Sequence, residues 1–367
     1  MATDPLPTLT IRALEVRAVQ VPLTLPLQTS GGLVTQAPLA LIDLHTDQGV
    51  TGSTYLFCYT PLALAPVVHT LQNLEPQLRG QVLAPLDIGL ALQRQFRLLG
   101  AKGVVGMALA GIDMAAWDAL ARARGLPLAV LLGGRLGSIP AYNSNGLGLI
   151  GADRAPAEAQ ALVAAGFRAI KLRLGYADAR DDLAVVRAVR RAVGDEVELM
   201  SDYNQALSVA EALVRTEALA GEGLRWIEEP TLADDFEGHA RIRAKSRVPI
   251  QMGENWWGPH DMARCLAAGG SDLVMPDAMK IGGVTGWLRA AALAEAAGLP
   301  MSTHLFPEIS AHLMAATPTR HWLEFVDWAA PILAQPLAVV NGQVSVPDRP
   351  GSGIEWNDDA VRRYRVE

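Results

Sequence analysis

From about residue 139 to residue 324 the sequence repeats one pattern: a short apolar segment, one or two polar residues that close it, then a helical stretch. The segments close near Asn145, Arg173, Asn204, Glu229, Asn255, Asp277, His304 and Glu324. Between the second and third, 181–193 (DDLAVVRAVRRAV) sets Leu183, Val186, Val189 and Val193 at roughly helical spacing, and Gly194-Asp195 ends the run. Alternation of this kind implies parallel strands joined by crossover helices, and eight such units close a barrel. The expected class is therefore α/β, a (β/α)8 TIM-type barrel over 136–330.

The 367 residues leave room for a second unit. Residues 11–21 (IRALEVRAVQV) and 38–46 (PLALIDLHT) read as strands, with a turn at Thr46-Asp47-Gln48-Gly49. Residues 107–124 read as an alanine-rich helix ended by Gly125 and Pro127. An α+β capping domain is expected over 1–135. The segment 22–37 (PLTLPLQTSGGLVTQA) holds two prolines and a Gly-Gly pair with no clear period. It reads as a long loop serving as a lid. The tail, 331–367, is expected to return to the capping domain.

In a barrel of this type the chemistry sits at the C-terminal ends of the strands. Asp202, Glu228 and Glu254 close three successive strands, and both spacings are 26 residues (228 − 202 and 254 − 228). One acid at a strand end would be a solvated loop residue. Three in register repel one another unless a cation lies between them, and oxygen-only ligands suit Mg²⁺. Lys171 and Arg173 are two apart on one strand and so share a face. His304 closes the seventh strand beside Asp277, a carboxylate able to fix the imidazole tautomer and raise its basicity. Glu324 closes the ring and, if held protonated, would donate to a substrate carboxylate. The other histidines have no such setting. A metal on a substrate carboxylate, bases on two sides and an acid together fit removal of an α-proton.

The formal charge of −7 argues against nucleic acid or an anionic membrane as main partner. An anionic substrate would need local cations or a metal to hold it. Cys58 and Cys265 are too few for a disulfide framework. No window reads as a membrane span, and residues 1–20 lack a signal pattern, so a soluble cytoplasmic protein is expected.

At these residues the chain resembles the mandelate racemase/muconate lactonizing enzyme family of the enolase superfamily. The likeness is densest in WIEEPTLADDFEGHARI (226–242), PIQMGENWWG (249–258), VMPDAMKIGGVTGWL (274–288) and MSTHLFPEISAHLMAATPTRHWLE (301–324), with AGIDMAAWDAL (110–120) resembling the family's N-terminal signature. Enolase-superfamily sites are themselves the standing example of a Lys or His base working with Mg²⁺. The resemblance implies a capping-domain lid, about 22–37 with 51–59, closing over the barrel, and Asp202, Glu228 and Glu254 as magnesium ligands. It implies His304–Asp277 as a base dyad and Glu324 as the group that stabilises the enolic intermediate. Ser144, Asn204 and Lys280 match positions near the metal or the substrate carboxylate, and Tyr55 in the lid counts as a further substrate contact. The implied partner is a small hydroxycarboxylate, and the implied assembly a homo-oligomer, with an octamer typical of the family.

One position departs. The family's racemase carries Lys-X-Lys on the second strand, and its second lysine faces the histidine as base. Here that residue is Arg173. A guanidinium keeps its proton in proteins and is a poor base at neutral pH. Overall likeness therefore points to a racemase or epimerase of a 2-hydroxycarboxylic acid, and Arg173 points to single-base chemistry such as acid-sugar dehydration. Gln28, Thr29, Ser30, Asn143, Ser144 and Asn145 suit hydroxyls, whereas Leu23, Leu25, Leu27, Leu33 and Val34 suit an apolar group. Two other classes compete: a Schiff-base barrel with Lys171 as amine nucleophile, and a non-catalytic protein that keeps the metal site. Three acids in register go unexplained by the first, and the His304–Asp277 pair by the second.

Overall fold

In the computed structural model, which describes residues 8–366, the chain begins with an antiparallel sheet of β1 (Ile11–Thr29), β2 (Gly32–Thr46) and β3 (Thr51–Phe57). Helices α1 (Pro61–Leu78), α2 (Pro85–Gln95), α3 (Gly103–Ala123) and the short α4 (Leu128–Leu131) follow. The outer ends of the expected first and last units, residues 1–7 and 367, lie outside the described residues.

The segment expected as a loop, 22–37, is instead the arm of a hairpin. β1 and β2 pair to Thr29↔Gly32, and the irregularity in this arm lies between Pro22 and Leu27. The prolines fall at that irregularity, where the ladder loses little by lacking an N–H, and Ser30-Gly31 makes the turn.

Helix α3 is long and apolar enough by length and composition to cross a membrane, which the sequence reading did not register. Here it lies against the sheet and is two-thirds buried. A Cβ on Gly52 would fall 2.0 Å from the Ala115 carbonyl oxygen, and one on Gly111 would fall 2.5 Å from Ile42 Cδ1. The two glycines let helix and sheet approach closely.

The barrel strands are β4 (Ser138–Asn143), β5 (Ala169–Arg173), β6 (Glu198–Asp202), β7 (Leu224–Glu228), β8 (Ile250–Met252), β9 (Leu273–Val274) and β10 (Leu323–Phe325). Between them run α5 (Ala155–Ala164), α6 (Ala179–Val193), α7 (Val209–Ala218), α8 (Phe236–Arg243), α9 (Pro259–Ala268), α10 (Gly283–Ala297) and α11 (Pro307–Ala315). Strands β4 to β9 pair in parallel, each with the next, and β10 pairs with β4. The expected seventh strand is reduced to bridges, Val274↔Met301 and Asp277↔His304, with Met301↔Arg320 leading on toward β10.

The tail does two things. The hairpin β11 (Val339–Val340) and β12 (Gln343–Ser345) adds to the barrel through β4 rather than to the capping sheet. The following stretch, with α12 (Asp358–Tyr364), crosses back: Trp356 Nε1 donates to Asp43 at 2.9 Å, and Arg365 bridges Val19.

Two carboxylates of α3 join the units. Asp113 accepts from Thr285 N (3.0 Å) and Thr285 Oγ1 (2.5 Å) at the start of α10, where exposed N–H groups favour an anion. Burial holds its carboxyl at about 6 despite those bonds. Asp118 accepts from Ser53 N (2.8 Å), Arg122 Nε (2.6 Å), Ser352 N (2.5 Å) and Ser352 Oγ (2.8 Å). The aspartates of the AGIDMAAWDAL run thus fix the packing of cap, barrel and tail.

Candidate active site

Strand register builds the site. Arg173 pairs with Asp202 and Asp202 with Glu228, so these residues form one row across β5, β6 and β7. Lys171 lies two residues deeper on the face of Arg173. Past β8 the chain turns at Gly253, where a Cβ would fall 2.7 Å from the Met275 carbonyl carbon, and Glu254 comes in toward the row. Carboxylate oxygens of Asp202, Glu228 and Glu254 all lie within 4.8 Å of one another, and all three side chains are buried.

Such a cluster fits a divalent cation. Burial and the neighbouring Asp202 push Glu228 well above the ordinary carboxylate range, against the pull of Lys171. Three buried negative charges at this spacing call for a positive one between them. The donors are all oxygens, as Mg²⁺ requires.

Lys171 Nζ lies 2.6 Å from Glu228 Oε1, 2.9 Å from Glu324 Oε1 and 3.3 Å from Asp202 Oδ2. Burial opposes its charge, but these carboxylates outweigh burial and raise its pKa. It is held as an ammonium. That setting works against the Schiff-base alternative, which needs a free amine.

Arg173 is tied back to the end of β4. Its Nη1 donates to the Ser144 carbonyl at 3.0 Å and its Nη2 to Ser144 Oγ at 2.8 Å. Its Nε is buried without a hydrogen-bond partner, 3.8 Å from Asp202 Oδ2.

Across the ring, His304 Nδ1 lies 2.7 Å from Asp277 Oδ2, while Asp277 Oδ1 accepts from the backbone of Met279 and Lys280, each at 2.8 Å. The aspartate is thus fixed and the imidazole carries its proton on Nδ1, leaving Nε2 for chemistry. Nε2 sits 3.2 Å from Glu254 Oε2 and 3.8 Å from Glu324 Oε2. Burial opposes an imidazolium, but these carboxylates outweigh it and raise the His304 pKa. A cation held by Glu254 competes with the imidazolium for that carboxylate.

Glu324 was expected to donate if held protonated, and these surroundings favour the ionised form. Burial raises its pKa, yet Lys171 and His304 outweigh that and draw it below the ordinary value. Its Oε2 accepts from Leu305 N at 2.8 Å.

Of the expected substrate contacts, Ser144 faces Arg173. Asn204 bonds Asp202 through its backbone N (2.7 Å) and its Nδ2 (3.0 Å). Lys280 Nζ donates to Asn255 Oδ1 at 2.5 Å and lies 4.1 Å from the Tyr59 ring centre. Tyr55 does not offer its hydroxyl to the barrel mouth; it donates to Glu308 at 2.6 Å.

Sequence reasoning passed over four residues. Asn255 donates to both Glu229 Oε2 (2.6 Å) and Glu254 Oε1 (2.9 Å), and Glu229 Oε1 is buried without a partner. Both had been seen only as strand-end neighbours of the acids. The Tyr59 hydroxyl is also buried without a partner, near enough to Asp277, Glu254 and Glu324 that their charges add to burial in raising its pKa. Glu308 gave no signal. Asn204, Glu229, Leu305 and Phe306 around the mouth all have left-handed backbone, φ +45°, +35°, +50° and +49°. Such strain costs about 1–2 kcal/mol per residue and collects at functional sites.

The lid hairpin is seated on this mouth. Ser30 Oγ donates to the Asn204 carbonyl at 3.1 Å, and the Gln28 carbonyl accepts from Leu149 N at 2.8 Å. From Tyr59 a row of rings runs outward, with Tyr59–Phe57 centroids 4.8 Å apart and Phe57–Trp328 centroids 4.9 Å apart.

Comparison with known proteins matches both units. Residues 11–133 fit the family model described as mandelate racemase / muconate lactonizing enzyme, N-terminal domain, and 154–360 fit that described as enolase C-terminal domain-like. A solved enolase from Bradyrhizobium, complexed with magnesium and mandelic acid, is 46% identical, covers 100% of both chains and superposes with a TM-score of 0.94. The D-galactarolactone cycloisomerase of Agrobacterium fabrum is 32% identical over 97% of this chain and 99% of its own. The L-talarate/galactarate dehydratase of Salmonella typhimurium is 34% identical over 72% of this chain and 67% of its own.

Proposed function

This chain belongs to the mandelate racemase/muconate lactonizing enzyme family of the enolase superfamily, and we propose that it removes the α-proton of a 2-hydroxycarboxylic acid of mandelate type, with His304 as its competent base. It is an enzyme of the racemase or dehydratase kind, and its cofactor is Mg²⁺. The observation that carries the reading is the His304–Asp277 pair, which aims Nε2 at the ring of carboxylates on the side opposite Arg173.

Asp202, Glu228 and Glu254 would hold the metal. When bound, Mg²⁺ draws charge from the substrate carboxylate and offsets the second negative charge that develops there. Lys171, a fixed ammonium between Glu228 and Glu324, adds positive charge to the same corner. His304 Nε2 takes the α-proton while Asp277 stabilises the resulting imidazolium. The substrate becomes an enediolate. Glu324 then needs a proton to donate to it, and the protonated groups beside it are Lys171 at 2.9 Å and His304 at 3.8 Å. The lid excludes water from this exchange.

The rings of Tyr59, Phe57 and Trp328 support an aromatic substituent. The polar residues that suggested a sugar are largely occupied elsewhere. Asn143 Nδ2 donates to the Asn145 carbonyl at 2.7 Å, Asn145 Oδ1 accepts from Asp327 N at 3.2 Å, and Ser30 anchors the lid.

Arg173 favours a second reading, acid-sugar dehydration. Tied to Ser144, it is no base, so proton return to the opposite face has no catalyst. His304 would pass the abstracted proton to a departing β-hydroxyl: the C–O bond breaks, water leaves, and the enol becomes a 2-keto-3-deoxy acid.

The test is incubation of the Mg²⁺ enzyme in D₂O with each mandelate enantiomer and a panel of aldonic and aldaric acids, followed by NMR. Deuterium at the α-carbon of one mandelate enantiomer supports the single-base reading, and inversion supports the racemase. A 2-keto-3-deoxy product with mandelate inert moves the enzyme to dehydration. No exchange with any acid overturns the proposal.

A further inference from the structure

Immediately after His304, Leu305 and Phe306 take left-handed backbone in succession, φ +50° and +49°, although neither is glycine. The turn they make connects the two sides of the chemistry. Its Leu305 N–H donates to Glu324 Oε2 at 2.8 Å, and its first neighbour is His304. Rotation of either residue toward ordinary backbone would carry that N–H away from Glu324 and tilt the imidazole.

Three contacts hold the turn. Ser310 Oγ, within the buried face of α11, donates to the Leu305 carbonyl at 2.9 Å. The Phe306 ring lies 5.3 Å, centroid to centroid, from the ring of Tyr55, which comes from the capping domain. The Tyr55 hydroxyl donates to Glu308 Oε2 at 2.6 Å, two residues beyond Phe306, and both side chains are almost wholly buried. Burial raises the pKa of both groups, so the phenol resists ionisation and stays a donor to Glu308.

We infer that Tyr55 and Glu308 are positioning residues: a buried bond from the cap to the barrel that fixes the strained Leu305–Phe306 turn and through it the mutual placement of His304 and Glu324. The inference rests on the roles proposed above for those two residues. It gives Tyr55 a different task from direct substrate contact, and it makes the base-acid geometry depend on the cap being seated.

The experiment compares Tyr55→Phe, Glu308→Ala, Glu308→Gln and the double variant Tyr55→Phe/Glu308→Ala as Mg²⁺ holoenzymes. Turnover is measured on whichever acid of the panel the wild type accepts, and amide hydrogen exchange on the peptide spanning 303–312. Tyr55→Phe is expected to lower kcat on the order of tenfold with KM within about twofold. Exchange of the 303–312 peptide should quicken while distant peptides stay unchanged. Glu308→Gln, which still accepts the phenol, is expected to recover most of what Glu308→Ala loses, and the double variant should be no worse than the poorer single one. A rise in KM with kcat intact would overturn the inference in favour of substrate contact. Additive losses, or a 303–312 peptide and kcat both unmoved, would overturn it too. Should these variants fail to fold, Ser310→Ala frees the same turn from inside the barrel and must lower kcat. A wild type inert toward every acid would count against the functional proposal, while the peptide exchange still decides the positioning.

Discussion

Arg173 puts five donors where a second lysine would put one movable ammonium, and Ser144 takes two of those donors. Replacing it by lysine restores a group whose pKa a crowded site can lower. Arg173→Lys is expected to raise α-proton exchange from the slower mandelate enantiomer at least about tenfold, with less change for the faster one. NMR in D₂O measures both rates. A variant with the wild-type enantiomer ratio would mean that Arg173 is not what limits the second face. The acid triad gives a prediction independent of turnover. Saturating Mg²⁺, at about a hundred times its Kd, adds about 2.7 kcal/mol to a protein that binds it only when folded. Adding Mg²⁺ should therefore raise the melting temperature of the wild type. Glu254→Gln, which removes one charge from the cluster of Asp202, Glu228 and Glu254, should largely lose that rise and nearly all activity. A full Mg²⁺ shift in the variant would remove Glu254 from the ligand set.

Among the elements, those whose residues carry their own signal were legible in advance. The equal spacing of Asp202, Glu228 and Glu254 needed only the regular length of a strand-helix unit, and the register bears it out at Asp202↔Glu228. The hairpin arm at 22–37 was not legible, because two prolines and Gly31-Gly32 mask a ladder whose partner strand supplies the order. The turn at Leu305–Phe306 left no trace either: nothing in the local run Leu-Phe-Pro prefers left-handed backbone, and the contacts that impose it come from Tyr55 and Ser310. Tyr55 was assigned to the substrate because its loop was, and only the side-chain direction separates it from Tyr59. The lid element can be tested at its seat. A Cβ on Gly148 would fall 2.5 Å from the Gln28 carbonyl oxygen. Gly148→Ala is expected to lift the hairpin, raise KM several-fold and speed proteolysis near residue 30; unchanged proteolysis and KM would show that the hairpin has another resting place. Helix α11 has a pH signature of its own. His312 Nδ1 accepts from Ala129 N and Nε2 donates to the Ser352 carbonyl, both at 3.2 Å, so the ring is held neutral. Burial lowers its pKa to about 4. The unfolded chain, with a histidine near 6.5, binds the extra proton first, so this contribution is complete above about 6.5 and drains away as pH falls toward 4. It amounts to about 3 kcal/mol at most. Urea unfolding at pH 7 and pH 4.5 should show a smaller loss for His312→Gln than for the wild type, and equal losses would acquit this residue.

For the molecule as a whole, Asp118 ties three parts together, a side chain with no exposure that accepts from β3, α3 and the tail at once. Asp118→Ala strands Arg122 and the Ser53 and Ser352 amides, which should cost about 3–5 kcal/mol. Calorimetry is expected to show a lower melting temperature, and a second transition as the cap separates from the barrel; an unchanged profile would mean that apolar contacts alone join the units. The seated hairpin has a wider consequence. Its tip touches the mouth through backbone and a few side chains around 28–30, while every group proposed for proton transfer or metal binding belongs to the barrel. Part of recognition is therefore written in a stretch of the chain separate from the reaction, with Trp328 and the barrel's own polar residues supplying the rest. A gene library confined to codons 23–34 and 57–59 would vary which acid is admitted while leaving the proton-transfer machinery as inherited, and a lineage of such proteins has the same freedom to change its diet without relearning its chemistry.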